Sequence, residues 1–127
     1  MTTLLLFGMF GAPAAWAAQL LASYAIVAHA CFPDGRPLET PAFGGARPVA
    51  LIVSLVALAV AVTALATASA KLRLLDRNGA GHDAGPPDAG HGRARFMALA
   101  GMLLGAMFTF ALVMNTMPLI TQPVCRY

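Results

Sequence analysis

The sequence predicts an all-α integral membrane protein, a three-helix bundle with its N-terminus inside and its C-terminus outside. Three observations carry this. Apolar residues make up 59% of the 127-residue chain and charged residues only 10%, where a soluble domain carries about 25% charged. The apolar residues fall into three uncharged runs, 3–30, 48–70 and 96–120, with every charge confined to the gaps. Each run has the roughly 20 residues a helix needs to cross a hydrocarbon core ~30 Å thick. The only two cysteines, Cys31 and Cys125, each sit just past the end of such a run. A threefold crossing brings the ends of its first and third passages to the same face, so both sulfurs meet one compartment. A soluble bundle is excluded because too few polar residues exist to coat it.

The first span is long and contains Gly8, Gly11 and Pro13. Proline fixes its own φ and removes a backbone donor, so a break is expected here, with residues 4–10 as a lead-in turn and Pro13–Ala30 as the main crossing. Ala15-Trp16-Ala17 looks like a signal-peptidase site. No Lys or Arg precedes it, however, and the apolar run continues to Ala30, so an uncleaved span is the better reading. Ile26–Cys31 is loosely like a lipoprotein box, which His29 fits badly. Residues 31–47 read as an extended outer loop, with Pro33, Pro37 and Pro41 and the Asp34-Gly35 turn signal.

The second span is Ala, Val and Leu with Ser54, Thr63, Thr67 and Ser69. Hydroxyls in such a helix bond back to their own backbone, and they receive no functional weight. The inner loop, 71–95, begins as a helical extension over Lys71–Asp76 and then turns Gly- and Asp-rich, which suits a flexible linker. His82, Asp83, Asp88 and His91 are a formal metal-ligand set, but a mobile loop does not preorganise ligands. The third span carries Met102, Met107, Met114 and Met117, read as spread around the helix and serving packing.

Charge sets the orientation. Lys71, Arg73, Arg77, Arg93 and Arg95, five of the eight basic residues, lie in the second loop. The positive-inside tendency places that loop in the cytoplasm, and the two cysteines then fall outside, where disulfides persist. A Cys31–Cys125 bridge would contribute ~4–5 kcal/mol in the chain-entropy model, less in a membrane that already confines the helices. The basic residues flank the crossings, where they meet lipid headgroups. No basic surface remains for nucleic acid.

Polar groups within spans are the natural candidates for function. Trp16, Gln19, Ser23 and Ile26 share a helical face, and Gln19 and Asn115 read as orienting contacts between helices. Ala14, Ala18 and Ala22 form a small-residue row on the first span. Gly101 and Gly105, extended by Thr109, form a G-x-x-x-G pair on the third. Small residues let helix backbones approach, either within the three-helix bundle or against a larger partner, and a disulfide would hold the two rows at matching depth near the outer surface. His29, Cys31 and Cys125 form a possible soft-metal set suited to Cu(I) or Zn. No catalytic constellation, intramembrane carboxylate or phosphate loop is present, so neither an enzyme nor a cofactor is expected.

Phe10-Gly11-Ala12-Pro13-Ala14-Ala15-Trp16-Ala17-Ala18-Gln19-Leu20-Leu21, with Tyr24 and Ala30-Cys31, opens the chain. Arg95-Phe96-Met97-Ala98-Leu99, Met117-Pro118-Leu119-Ile120 and the Pro-x-Cys ending at Pro123–Cys125 close it. These ends, though not the middle, resemble a group of small bacterial three-helix membrane proteins of unknown function, often encoded near subunits of haem–copper cytochrome oxidases. The resemblance implies no catalytic residues. It implies a place beside a respiratory complex, and with it a non-catalytic accessory or assembly subunit in the bacterial inner membrane; helical spans point to that membrane, since outer-membrane proteins are barrels. The alternatives are a membrane metallochaperone using His29, Cys31 and Cys125, and a self-associating protein with no larger partner. A membrane-impermeant maleimide applied to intact reduced cells is expected to label both Cys31 and Cys125; labelling of only one before lysis would break the threefold threading.

Overall fold

The computed structural model describes residues 2–79 and 89–125. Among these residues it is all-helical, with helices α1 (Thr2–Cys31), α2 (Ala46–Gly79) and α3 (Ala89–Thr121) and a short 3-10 turn at Pro33–Gly35. All three helices are long and apolar enough to cross a membrane. The 34 residues of α2 rise about 51 Å, well beyond a ~30 Å hydrocarbon core. Its last turns, carrying Lys71, Arg73, Asp76 and Arg77, therefore extend past the apolar stretch.

The helical extension expected over Lys71–Asp76 continues to Gly79 and α3 starts at Ala89; the Gly- and Asp-rich stretch between them, with His82, Asp83 and Asp88, lies outside the described residues. The break near Pro13 is absent, since α1 is a single helix through it. Pro13 costs the carbonyl of Met9 its helical partner, which membrane helices tolerate when neighbours support them. Here the support comes from α2: a methyl group on Gly8 would lie 3.3 Å from the Cβ of Ala68, and one on Gly11 2.9 Å from that of Ala64. These glycines are packing points rather than hinges. Pro48 sits in the first turn of α2, where its missing N–H is needed by no intrahelical bond.

Contacts at both ends set the helix directions. Gly101 faces the Gly8 carbonyl and Cys125 joins Cys31, so α1 and α3 run parallel. Gly8 meets Ala68, Gly11 meets Ala64 and Gln19 meets Ser54, so α2 runs antiparallel to them.

The interior is made of small side chains. Ala50, Ser54, Ala57, Ala61, Ala64 and Ala68 are all buried and recur at alternating four- and three-residue intervals, the spacing that keeps one seam facing its neighbours. Ala12, Ala15 and Ala98 are buried against them, and Leu112 is the largest fully buried side chain. Trp16 and Phe108 fill the space between α1 and α3 with ring centroids 5.3 Å apart. Large apolar residues point the other way: Leu21, Tyr24, Ile52, Leu55 and Phe96 are among the exposed ones. That distribution suits a lipid solvent, in which an outward leucine loses nothing.

The expected depth of the small-residue rows also changes. Gly101 lies against Gly8 and Gly105 against Leu65, at the end of the bundle opposite the disulfide. A Cβ on Gly101 would come 3.0 Å from the Gly8 carbonyl oxygen, and backbone cannot move aside as a side chain can. Gly101→Ala is expected to destabilise the bundle by about 1–3 kcal/mol in a denaturant titration in micelles. Gly44→Ala, with no atom within 4 Å, is expected to leave the midpoint unchanged.

Candidate functional site

The polar groups of the bundle gather at one junction that ties all three helices together. Gln19 is only 2% exposed and Ser54 only 1%. The Gln19 Nε2 donates to Ser54 Oγ at 3.1 Å, and the Ser54 hydroxyl donates in turn to the Ala50 carbonyl at 2.9 Å. Asn115 Nδ2 donates to Gln19 Oε1 at 3.3 Å. Gln19 thus uses one end of its amide for α2 and the other for α3. Its helical position causes this, because Ala12, Ala15 and Gln19 share the inward face of α1.

Ser54 is the residue that sequence reasoning missed. Like Thr63, Thr67 and Ser69 it bonds back to its own helix, but alone among these it also accepts a bond from another helix. The signal was its place in the Ala50–Ala68 seam: a serine at a seam position faces a neighbour, whereas Thr63 points outward. Two further hydroxyl oxygens, Ser23 Oγ and Thr109 Oγ1, are buried without a partner among the described residues.

The small-residue row on α1 does not enter the helix interfaces. Ala14 and Ala18 are exposed and Ala22 half-buried. They floor an open apolar groove of ≈ 690 Å³ between α1 and α2, walled by residues including Phe10, Val56 and Val60. The inward face, Ala12, Ala15 and Gln19, lies about a quarter-turn away, and it is the face that α2 and α3 cover. Of the four methionines, Met107, Met114 and Met117 are exposed on one side of α3, while Met102 is half-buried on another.

A second constellation closes the far end. Cys31 and Cys125 form a disulfide with Cα atoms 5.4 Å apart, buried with Ala30 and Ala46. The loop folds back to satisfy the end of α1, with Leu38 N–H donating to the Cys31 carbonyl and Ala42 N–H to that of Ala30, both at 2.8 Å. Arg47, at the start of α2, donates from Nε to the Leu119 carbonyl at 3.0 Å and from Nη2 to that of Ile120. These are among the last carbonyls of α3, which lack helical partners and carry the negative end of its dipole.

The set His29, Cys31 and Cys125 does not form a thiolate site here, because both sulfurs are spent on each other. His29 Nδ1 donates to the Ala25 carbonyl one turn back at 2.8 Å. Among the described residues no group of three or more His, Cys, Asp or Glu is placed to hold a metal ion. At the opposite end Arg95 pairs with Asp76 at 2.9 Å, both side chains at least half exposed, a geometry contributing ~0–1 kcal/mol.

The chemistry of the junction is orientation. Its amides and hydroxyl donate and accept hydrogen bonds, and among the described residues the Ser54 oxygen is bonded to the Gln19 amide and the Ala50 carbonyl. No protein-family model, curated protein or solved structure matches the chain. Ser54→Ala is expected to cost about 1–3 kcal/mol, because it strands the buried Gln19 donor. Outward-facing Thr63→Ala is expected to stay within about 0.5 kcal/mol. A double-mutant cycle on Gln19 and Asn115 in detergent unfolding is expected to return a coupling of ~0.6 kcal/mol.

Proposed function

We propose that this chain is a non-catalytic accessory or assembly subunit that packs beside a larger membrane complex. On the resemblance of its two ends, that complex is a respiratory one of the cytochrome oxidase type in the bacterial inner membrane. The basic ends of α2 and α3 face the cytoplasm under the positive-inside tendency, with the N-terminus on the same side and the disulfide outside. The buried polar junction of Gln19, Ser54 and Asn115 ties the chain's own helices together, which supports a structural role for these groups.

The observation that carries the reading is a stripe on α3. Phe96, Leu99, Leu103, Met107, Phe110, Met114 and Met117 are all exposed, Phe96 at 71% and Phe110 at 64%. They recur at three- and four-residue intervals from one end of the span to the other, as the knobs of a helix–helix seam do. Methionine and phenylalanine supply large, adaptable contact area. The outward side of α2, by contrast, carries Val, Ile and Leu, so the Phe and Met of the stripe are a feature of α3.

The test is gentle solubilisation followed by native electrophoresis and identification of what co-migrates. The chain is expected to run with a larger complex containing oxidase subunits. Leu103→Ala combined with Phe110→Ala is expected to abolish co-migration while the Cys31–Cys125 bridge still forms. A species containing only copies of this chain would replace the accessory reading with self-association.

A further inference from the structure

The disulfide lies under cover from three sides. Cys31 is fully buried and Cys125 only 3% exposed. The loop after α1 covers one side, tied down by the Leu38 and Ala42 N–H groups. The start of α2 covers a second through Ala46, which is buried with Ala30 and both cysteines. Residues 122–125, the strap that follows α3, cover the third. Val124 packs against the same cluster, and its carbonyl oxygen lies 3.4 Å from Cys31 Sγ.

These covers are not fastened alike. The loop is bonded through its backbone to α1 itself. The strap depends on the end of α3, which is weak on its own. Pro118 lies inside α3 and removes the N–H that would bond the Met114 carbonyl. The last carbonyls of a helix have no partner within it, and Arg47 supplies one, donating from Nε to Leu119 at 3.0 Å and from Nη2 to Ile120. Arg47 adjoins Ala46, so one turn of α2 both covers the sulfurs and grips the helix that carries the strap. Cys125 follows soon after Thr121, the last residue of α3, so movement of that helix end passes directly to the sulfur.

Thiol–disulfide exchange requires a thiolate to reach a sulfur of the bond, so access governs its rate. We propose that Arg47 is a latch: it holds residues 122–125 over the Cys31–Cys125 bond and sets how fast that bond exchanges with surrounding thiols. Latched, the bond is closed to exchange. Unlatched, the strap lifts and a dithiol reaches it. One thiolate of the dithiol attacks a cysteine sulfur and displaces the other cysteine as a thiolate. The second sulfur of the dithiol then displaces the first cysteine. Two cysteine thiols and a cyclic disulfide result, with two electrons passed from the dithiol to the protein. Arg47 is a positioning residue in this device, since it acts through the end of α3. The device is independent of the accessory role.

The purified protein in micelles, treated with dithiothreitol and sampled by gel shift with a maleimide-linked polyethylene glycol, tests this. Arg47 is exposed, and Arg47→Ala is expected to speed reduction by about tenfold, the weight of one charge-assisted hydrogen bond. Arg47→Lys keeps a cation at the negative end of α3 without the forked donor, and is expected to fall between. Arg36→Ala removes the same charge from the neighbouring loop and is expected to leave the rate unchanged. Gly101→Ala loosens the opposite end of the bundle and is expected to leave it unchanged too, because the strap opens locally. Equal rates for Arg47→Ala and the unaltered protein would overturn the proposal. So would an acceleration by Gly101→Ala as large as that by Arg47→Ala, which assigns reduction to unfolding of the whole bundle. A match between Arg36→Ala and Arg47→Ala would overturn it as well, by reducing the effect to net charge.

Discussion

In lipid an apolar side chain gains nothing by turning inward, so the three helices hold together only where their backbones come close. Everything else in the bundle follows from that constraint. The Ala50–Ala68 seam of α2 is small along its whole length, and Gly8, Gly11, Gly101 and Gly105 sit at the tightest approaches. Close approach brings many atoms into dispersion contact, each pair worth ~0.1–0.2 kcal/mol, and the sum replaces the hydrophobic term that water would have supplied.

Packing of small residues is strong but nearly featureless, since one alanine seam resembles the next turn of itself. The polar junction and the closed end supply register. Gln19 reaches Ser54 and Asn115 at a single depth, and a slide of α2 by one turn would leave buried donors unpaired. The disulfide joins α1 to α3, while Arg47 joins α2 to the end of α3. Each pair of helices is therefore tied by at least one specific contact, concentrated toward the disulfide end, while the glycines dominate the other.

The outer surface then divides by composition. The α3 side carries a stripe of exposed Phe, Leu and Met, and the α1–α2 side an apolar groove floored by Ala14 and Ala18. In the proposed accessory role the adaptable α3 stripe docks the subunit against another helix.

Much of this was legible from the residues alone. Composition and the three uncharged runs determined an all-helical chain suited to lipid, because charge cannot be hidden in a span. The positions of Cys31 and Cys125 made their meeting a consequence of three crossings. Gln19 and Asn115 stood out as polar residues in apolar runs. Other features depended on which face of each helix meets a neighbour, and periodicity does not decide that when alanine lies on every side. Ala14, Ala18 and Ala22 recur every four residues and the inward Ala12, Ala15 and Gln19 at three- and four-residue intervals, both of them helical spacings. Only the tertiary structure assigned the first set to an open groove and the second to the core, singled out Ser54 from its fellow hydroxyls, and turned Met107, Met114 and Met117 outward. In a membrane both faces of a helix are apolar, so the side that packs is chosen by fit between backbones rather than by hydrophobicity.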